Sequence, residues 1–360
     1  MVSHPPLVAE LGASQLALQL AEGLRTLGHD ALAWSPSPLP AGTRWWNVSA
    51  SQRQRIERFA AEHGPFDLID TPAITASARL ARSGPLVVRS VQPELLYLLH
   101  GVREDLRRPL PSPRVLAHTA VAVRQAADIV AGWRRARAIV CLGGHELAWM
   151  RRRFPAWTAK TTSYVIAPPP AERHDLAEVR RKRPDHPPGP GTRFLWIGRW
   201  AAHKGTRTLL DFLTARLGTH PDDVVTIAGC GPAAELEIQA EWLRTGRVRL
   251  LPSFTRAGLP HLLASHDAGL FTSSVEGWGL ILNEMLESGL PVYATEAGGV
   301  TDLRPYFPRS LRPFPPPPRI EPAPLEDLRA NGYFQRFDWS AITREYERQV
   351  LSPMAGSHHA

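Results

Sequence analysis

Cysteine, lysine and long apolar runs are all scarce in this chain of 360 residues. The two cysteines, Cys141 and Cys230, have neither CxxC nor Cys/His ligand spacing, so neither a disulfide framework nor a zinc site is indicated. No segment approaches the roughly 18 apolar residues of a membrane-spanning helix, and the first residues lack the basic and apolar regions of a signal peptide. We therefore expect a protein of the reducing cytoplasm that is not integral to a membrane.

Lysine occurs only at Lys160, Lys182 and Lys204 among 42 basic residues, so arginine supplies most of the formal charge of +8. Two explanations stay open at this point: the base composition of a GC-rich genome, or an anionic partner. The segment 101–153 holds eleven arginines against four acidic residues. A surface formed by this segment could attract phosphate groups or an anionic membrane.

The length and the 43% apolar content favour two globular domains. Short apolar strand candidates alternate with amphipathic helix candidates, which indicates a parallel α/β architecture. In the first half the leucine stripe 16–27 predicts a helix that ends at Gly28. Strands are predicted at 86–88, 138–142, 164–166, 194–197, 224–228, 248–251, 268–271 and 291–294. Further helices are predicted at 206–217, 233–245, 280–288 and 340–351.

A polar, proline-rich stretch separates the two halves. Pro168–Pro170 is followed by a basic run at 180–183 and by further prolines at 187–190, which predicts an irregular linker. The predicted organisation is a Rossmann-like domain over 1–170, a linker over 171–192, a second Rossmann-like domain over 193–335, and a C-terminal helix and tail over 336–360 that return to the first domain.

Several predicted strands of the second half end in residues that suit a phosphate. The strand 194–197 leads into Gly198 and Arg199, and Lys204 and Gly205 follow just before a helix. In α/β sheets ligands bind beyond the carboxyl ends of strands, and Arg and Lys both hold phosphate oxygens. A solvated basic turn is the commoner explanation of any single cation, but Lys204 stands in a chain that nearly avoids lysine.

Three further strand ends carry glycine or acidic residues. Gly229 and Gly231 follow the strand 224–228, a pattern as often found in an ordinary strand-to-helix turn as in a ligand loop. Glu276 precedes Gly279 and Leu280, where the free amides of a helix start could bind phosphate, and Glu284 lies inside that helix. Carboxylates at these positions could accept hydrogen bonds from sugar hydroxyls. The next strand ends in Gly298 and Gly299.

Together these elements resemble the retaining glycosyltransferases of family 4, which have the GT-B fold of two Rossmann-like domains facing a central cleft. The resemblance covers residues 193–350 and rests on G-R-x-x-x-x-K-G at 198–205 and on E-x7-E from Glu276 to Glu284. The strand 290–294, the glycine pair at 298–299 and Phe337-Asp-Trp339 also resemble family elements.

The resemblance implies roles for these residues. Arg199 and Lys204 would neutralise the donor diphosphate, Glu276 would contact the donor sugar and Glu284 the ribose, while Gly279 and Leu280 would bind phosphates. The first domain would bind the acceptor. The sugar would keep its anomeric configuration without a protein nucleophile, because the leaving phosphate accepts the acceptor proton.

The first half departs from the family pattern. Only Gly12 of a usual glycine pair is present before the first helix. The family histidine expected after the strand 86–88 is absent, so Arg89, Gln92 and His100 are alternatives for its place. His145 stands where the family often has serine; it either contacts the donor sugar or is a partly exposed helix-start histidine.

No Asp-x-Asp pair follows a strand, so we expect no metal and no cofactor besides the nucleotide-sugar substrate. The acceptor, a lipid, a polysaccharide or a small metabolite, stays open, as does peripheral contact with an anionic membrane. The alternatives are a sugar-nucleotide epimerase, an inverting transferase on the same fold, and an arginine-rich nucleic-acid-binding protein. The arginine-rich region of this chain lacks the base-stacking pattern and the recognition helix of a nucleic-acid-binding protein, so no nucleic-acid partner is expected.

Overall fold

The computed structural model describes residues 1–8, 12–107, 113–183, 190–321 and 324–355. The chain divides into two compact units. The first unit comprises Met1–Ile166 and Arg336–Ala360, and the second comprises Ala167–Gln335. Within the described residues no helix is long and apolar enough to cross a bilayer.

The strands form two parallel sheets, one in each unit. In chain order they are β1 (Ile69–Thr71), β2 (Leu86–Arg89), β3 (Ala138–Leu142), β4 (Thr161–Tyr164), β5 (Arg193–Ile197), β6 (Val224–Ala228), β7 (Val248–Leu251), β8 (Ala268–Phe271), β9 (Val292–Ala294) and β10 (Leu311–Pro313).

Helices connect the strands. In chain order they are α1 (Gly12–Thr26), α2 (Val48–His63), α3 (Glu94–Leu106), α4 (Pro113–Arg135), α5 (Gly143–Arg153), α6 (Pro170–Lys182), α7 (Thr206–Thr219), α8 (Ala240–Arg244), α9 (Leu259–Ala264), α10 (Leu280–Glu287), α11 (Val300–Leu303), α12 (Tyr333–Arg336), α13 (Trp339–Tyr346) and α14 (Ser352–Ala355). A π-helical turn, Glu347–Leu351, joins α13 to α14.

The first unit contains the sheet β1-β2-β3-β4, whose strands are almost entirely buried. Burial of this extent in β1, β2 and β3 is typical of parallel sheets covered on both faces. A parallel bridge between Val2 and Trp34 lies outside these strands. The predicted strand at 164–166 is displaced, because the residues that pair with β3 are Thr161–Tyr164.

Helix α13 packs against α1 within the first unit. Asp338 caps α13 by accepting hydrogen bonds from the amides of Ser340 and Ala341, at 2.9 and 3.3 Å. Gly23 of α1 lies against the side chain of Thr343, where a Cβ would overlap the hydroxyl. The absence of a side chain at Gly23 therefore allows the two helices to approach closely.

The second unit contains the sheet β10-β9-β8-β5-β6-β7. The register is regular, with Phe194 of β5 opposite both Val225 of β6 and Ala268 of β8. The predicted helix 233–245 is wrong as a single element. A 3-10 turn, Pro232–Leu236, and the short α8 replace it, and Ile238 between them is buried in the core of this unit.

The linker prediction for 171–192 is wrong over its first part, because Pro170–Lys182 forms helix α6. Proline is tolerated at the first helical position, where its missing N–H is not needed. Glu172 in the first turn and the basic residues of the last turn both suit the helix dipole, and Leu176 is buried. Residues 184–189 of the predicted linker lie outside the described residues.

Candidate functional site

The order of the second sheet places a topological switch between β5 and β8. The chain leaves β5 to pair β6 on one side and later returns to pair β8 on the other. Ligands of open α/β sheets bind at the carboxyl ends of strands where the order reverses in this way. The loops 198–205 and 272–279 follow these two strands, so the sheet brings the two main sequence motifs to one edge.

Hydrogen bonds join these two loops. The Thr272 hydroxyl donates to the backbone carbonyl of Lys204 at 2.9 Å and accepts from the Trp196 indole N–H at 3.0 Å. The amide of Ser274 donates to the backbone carbonyl of His203 at 2.8 Å. The position of either loop therefore depends on the other.

Lys204 and Glu276 are brought into direct contact. The Lys204 Nζ is paired with the Glu276 Oε2, and the two side chains are 19% and 14% exposed. The Ser273 hydroxyl donates to the same carboxylate oxygen at 3.2 Å. Arg199 is exposed and forms no hydrogen bond or ion pair with the described residues. The structure thus joins Lys204 and Glu276 in one cluster, whereas Arg199 of the same loop has no such partner among the described residues.

Two glycines of the loops are required by the backbone. Gly205 has φ of +70°, and a Cβ there would overlap the Thr272 carbonyl. Gly279 has φ of +80°, and its Cβ would lie 2.6 Å from the Phe271 ring. Both positive φ and lack of space exclude an ordinary side chain.

Gly279 is also the N-cap of α10, and no side chain caps this helix end. Within the described residues the amides of Gly279, Leu280 and Ile281 make no hydrogen bond, whereas the Leu282 amide donates to the Gly279 carbonyl at 2.8 Å. Unpaired amides and the helix dipole together favour an anion here. Lys204 and Glu276, paired nearby, add one charge of each sign to this edge.

The other predicted glycines form neighbouring turns. The amides of Gly229 and Gly231 donate to the carbonyls of Leu251 and Pro252, at 2.8 and 2.9 Å, and these bonds tie the turn after β6 to the end of β7. The Gly198 amide donates to the Ala228 carbonyl at 3.0 Å. These bonds fit an ordinary strand-to-helix turn as well as a ligand loop.

The glycine pair after β9 borders the Glu276 loop. The amide of Gly299 donates to the backbone carbonyl of Trp278 at 2.8 Å, and a Cβ at Gly298 would overlap that carbonyl. A Cβ at Gly298 would also lie 3.0 Å from the Glu276 side chain. Gly298 and Gly299 therefore lie in the same cluster as Glu276.

Glu284 is 1% exposed and is linked to two residues that the sequence did not indicate, directly to Arg256 and through Arg256 to Glu172. Its Oε1 accepts a hydrogen bond from the Arg256 Nη2 at 2.6 Å, and the same guanidinium pairs with Glu172 of α6. Burial raises the pKa of Glu284, and Arg256 acts in the opposite direction. Arg256 follows β7 at a strand end, a signal that could have found it; Glu172 lies in the segment predicted as linker.

A second chain of polar side chains also holds α10. The buried Trp278 indole donates to the Asn283 Oδ1 at 2.5 Å, and the Asn283 Nδ2 donates to the Tyr333 hydroxyl at 2.9 Å. Tyr333 in turn donates to Glu287 at 2.7 Å, and Arg173 of α6 pairs with Glu287 at 3.0 Å. The helix that carries Glu284 is thus held by hydrogen bonds on buried side chains.

No hydrogen bond or ion pair joins the predicted residues of the first unit to one another within the described part of the chain. Gly12 begins α1, and Leu11 before it lies outside the described residues. Gln92 is half-buried in the loop after β2, and His145 is half-buried in the first turn of α5, after β3. His100 lies inside α3, and its buried Nε2 has no hydrogen-bond partner among the described residues.

The alternative in which Arg89 takes the place of the family histidine is wrong, because the Arg89 guanidinium is buried in an ion pair. Its Nε donates to both Asp70 carboxylate oxygens at 2.9 Å, and the Arg89 and Asp70 side chains are 0% and 1% exposed. The hydroxyl of Tyr346 from α13 also donates to Asp70. Burial by itself lowers the pKa of Arg89, but Asp70 outweighs it and the pKa lies above its usual value.

The carboxyl groups of half-buried Glu94 and of buried Glu146 lie near the end of β2. Glu94 accepts a hydrogen bond from the Ala73 amide at 3.0 Å, and Glu146 accepts one from the Leu142 amide at 2.7 Å. Burial raises the pKa of Glu94 to about 8 and that of Glu146 to about 7. Both carboxyls bond to backbone amides, so they anchor the loops after β1 and β3.

A cavity of about 780 Å³ lies inside the first unit at the amino end of β1. Apolar side chains of α1, α2 and the segment 29–34 line it, together with a polar rim that includes His29, His63 and Asp67. Ligands of such sheets bind at the opposite, carboxyl end. None of the residues predicted from the sequence lines this cavity.

The second unit is similar in sequence to known proteins. Residues 191–305 match the model of the family described as glycosyl transferases group 1. This segment contains both loops, and it is similar to a glycosyltransferase domain. An uncharacterized glycosyltransferase of Bacillus subtilis, YqgM, is 29% identical over 129 residues, which are 35% of this chain and 36% of that protein. The match therefore spans about a third of this relative.

Solved structures resemble the whole chain. Sucrose-phosphate synthase from Thermosynechococcus elongatus aligns with a TM-score of 0.62 and 15% identity over 99% of this chain and 97% of that one. Anabaena HepE, solved in complex with UDP and glucose, aligns with a TM-score of 0.55 and 17% identity over 98% of both chains. At such identity the likeness shows the fold. The predicted α/β fold of GT-B type, with two parallel sheets, is confirmed.

Proposed function

We propose that this protein is a retaining glycosyltransferase that moves a sugar from a nucleotide-diphosphate sugar to an acceptor hydroxyl. The observation that carries the proposal is the cluster at the switch between β5 and β8, where Lys204 and Glu276 pair beside the uncapped start of α10. A cation, a carboxylate and free amides together suit a diphosphate joined to a sugar. The match of residues 191–305 to glycosyl transferases group 1 supports the same activity.

Each residue receives a role from its chemistry. Lys204 leaves Glu276 and, with Arg199, binds the diphosphate as its charge grows, because preformed positive charge stabilises a leaving phosphate. Glu276, released from Lys204, accepts hydrogen bonds from the transferred sugar. Glu284 accepts them from the ribose. The glycine turns after β5, β8 and β9 leave room for the backbone to approach the donor.

The proposed reaction keeps the anomeric configuration. The bond between the anomeric carbon and the diphosphate oxygen breaks, and the acceptor oxygen bonds to the same face of the oxocarbenium-like sugar. The acceptor proton passes to the leaving phosphate oxygen, so no protein nucleophile takes part. NMR of the product tests this directly, and an inverted anomer would replace the proposal with an inverting transferase.

A thermal-shift panel of nucleotide-diphosphate sugars tests donor binding, with UDP-glucose included because HepE was solved with UDP and glucose. A donor at about 100 times its Kd stabilises the native state by about 2.7 kcal/mol. Glu284→Ala should abolish most of this gain. Glu241→Ala, which removes an exposed carboxylate that pairs with Arg244, serves as the control. Equal stabilisation of wild type and Glu284→Ala would overturn the ribose assignment.

We further propose that turnover needs no divalent metal, since Arg199 and Lys204 supply positive charge at the diphosphate. Activity should be unchanged after treatment with EDTA. Loss of turnover in EDTA and recovery on adding Mg²⁺ or Mn²⁺ would contradict this.

For the acceptor side, we propose that the first unit binds the acceptor and contacts an anionic membrane through α3 and α4. Leu99 and Leu106 of α3 are 54% and 65% exposed, and Leu116 and Val123 of α4 are each 66% exposed. Leu116 and Val123 lie seven residues apart on one helix, on the same face. Exposed apolar residues next to arginines are typical of a helix that lies in a membrane interface.

Co-sedimentation with vesicles containing anionic phosphatidylglycerol tests this contact. Wild type should bind, and the double variant Leu116→Ser/Val123→Ser should bind much less. Leu236→Ser is the control, because Leu236 is 88% exposed in the second unit. Equal vesicle binding by all three proteins would refute the membrane contact. In a separate assay, salt-sensitive binding of RNA without any affinity for nucleotide sugars would favour a nucleic-acid-binding protein instead.

A further inference from the structure

Arg256 is shared between two carboxylates. Its Nη2 contacts both Glu284 and Glu172, and its Nε donates to the Glu172 Oε1 at 3.1 Å. The Arg256 and Glu172 side chains are 26% and 27% exposed, whereas that of Glu284 is 1% exposed. The guanidinium plane is therefore oriented by Glu172 and presents one N–H to Glu284.

This geometry occupies only one oxygen of Glu284. Arg256 binds the Oε1, and among the described residues the Oε2 accepts no hydrogen bond. A carboxylate held by one oxygen keeps acceptor capacity at the other, in a fixed direction. That arrangement suits a ligand with hydroxyl donors.

The charge of Glu284 depends on the same arginine. The charged groups that face Glu284 are Arg256 from the turn after β7, Glu172 from α6 and Glu287 from its own helix. Glu287 has its own cation, Arg173, at 3.0 Å. Arg256 is thus the cation that offsets the burial of Glu284, since an unpaired buried carboxylate takes up a proton instead.

We propose that Arg256 and Glu172 are positioning residues of the donor site, where Arg256 holds Glu284 as an oriented hydroxyl acceptor and Glu172 orients Arg256. The inference rests on the proposed function of Glu284 as the ribose ligand. It extends the donor site to the turn after β7 and to α6. Neither Arg256 nor Glu172 needs to touch the donor.

The first measurement is the Kd of the best nucleotide-diphosphate sugar from pH 6 to pH 9. In Arg256→Met, Glu284 should become protonated, so the Kd at pH 7 should rise about tenfold or more and should fall again toward pH 9. Wild type should show no such recovery. Arg256→Lys should restore part of the affinity, because lysine supplies the positive charge but not the planar set of N–H donors of a guanidinium. An equal loss at every pH would mean a merely structural role and overturn the proposal.

Glu172→Gln separates orientation from charge. It should weaken donor binding about threefold, with no recovery at high pH, since Arg256 remains to neutralise Glu284. Arg173→Met is the matched control, because it breaks the pair with Glu287 between the same two helices. It should lower the Tm and leave the pH dependence of the Kd as in wild type. A pH-dependent Kd in Arg173→Met would also count against the specific role of Arg256.

A ligand-free double-mutant cycle separates this inference from the proposed function. Arg256→Met should lower the Tm by several degrees, and adding Glu284→Gln should recover much of that loss, because glutamine needs neither a partner cation nor the uptake of a proton. If wild type binds no nucleotide sugar, the proposed function fails while the cycle still reports on the pair. If the two substitutions are additive in the Tm, Arg256 does not hold Glu284 and the inference is wrong.

Discussion

The two units place different chemistry at the ends of similar parallel sheets. In the second unit the strand ends lead into glycine turns at Gly205 and Gly279, beside a polar pair and an uncapped helix start. In the first unit Asp70 and Arg89, from β1 and β2, form a fully buried ion pair that Tyr346 covers.

The difference teaches that a Rossmann-like sheet does not by itself make a site. Glycine leaves space for a ligand to reach the backbone, and a free helix start adds the positive end of a dipole. A buried ion pair uses the same kind of strand position to hold the chain together. The residues at the strand ends therefore decide whether that edge of a sheet is open to ligands.

The largest expected effect comes from breaking the buried pair of the first unit. Arg89→Met should cost about 3–5 kcal/mol of unfolding free energy, because Asp70 is left as an unpaired buried charge. Urea denaturation measures this. Asp70→Asn/Arg89→Met should recover part of the loss, and donor binding should remain if the protein is assayed below its unfolding transition. A loss under 1 kcal/mol for Arg89→Met would show that the pair matters little.

The next largest effect on stability is expected at the glycine turns of the second unit. Gly205→Ala should cost about 2–4 kcal/mol, since a Cβ would overlap the Thr272 carbonyl at positive φ. It should also weaken donor binding, because the loops after β5 and β8 separate. Gly218→Ala is the control: it lies in α7 with nothing within 4 Å of its Cβ, and should stabilise by about 0.5–1 kcal/mol. Similar results for the two variants would contradict the requirement for glycine.

The carboxyl groups of Glu94 and Glu146 in the first unit predict that the stability of the protein depends on pH. Burial of the carboxyl raises the pKa of Glu94 from its usual value of about 4.5 to about 8, so the folded state binds the proton more tightly. The contribution of Glu94 to the free energy of unfolding is fully present below about pH 4.5 and is lost as the pH rises through 8, by roughly 2.5 kcal/mol between pH 5 and 7.

Glu94→Gln should flatten this part of the stability profile, as measured by urea denaturation at several pH values. Glu146, with a pKa of about 7, adds a smaller loss in the same direction. The exposed Glu62→Gln serves as the control. Stability of Glu94→Gln that falls with pH as steeply as in wild type would contradict the assignment.

The smallest effect on stability is expected from the hydrogen bonds that Tyr333 makes with α10. Tyr333→Phe removes the hydroxyl between Asn283 and Glu287 and should cost about 1–2 kcal/mol. A modest rise in the Kd for the donor should accompany it, because the helix that carries Glu284 loses one of its supports. An unchanged Tm would show that other groups or solvent replace this hydroxyl.

Much of the second unit could be predicted from the sequence. Continuous apolar runs such as 224–228 and 268–271 match β6 and β8 residue for residue. The glycine and charge pattern at 198–205 and 276–284 marked the strand ends that the sheet brings together. Such local signals are readable because strand burial and turn chemistry act over a few residues.

The prediction failed where partners are far apart in sequence. Glu172 and Arg256 are separated by 84 residues, and nothing local shows that they meet at Glu284. The arginines of α6 appeared as a polar linker because their partners, among them Glu287, lie on distant helices. Composition describes such a segment as solvated, whereas tertiary contacts make it a structural helix.

The sequence by itself determined the α/β class, the glycine turns and the pair Glu276 and Glu284, since each depends on local backbone and side-chain chemistry. Only the tertiary structure decided that Lys204 pairs with Glu276, that Arg256 faces Glu284 and that Arg89 is closed in the core by Asp70. The physical reason is that the charge state and accessibility of a side chain depend on neighbours in space, and the order of strands in a sheet selects those neighbours.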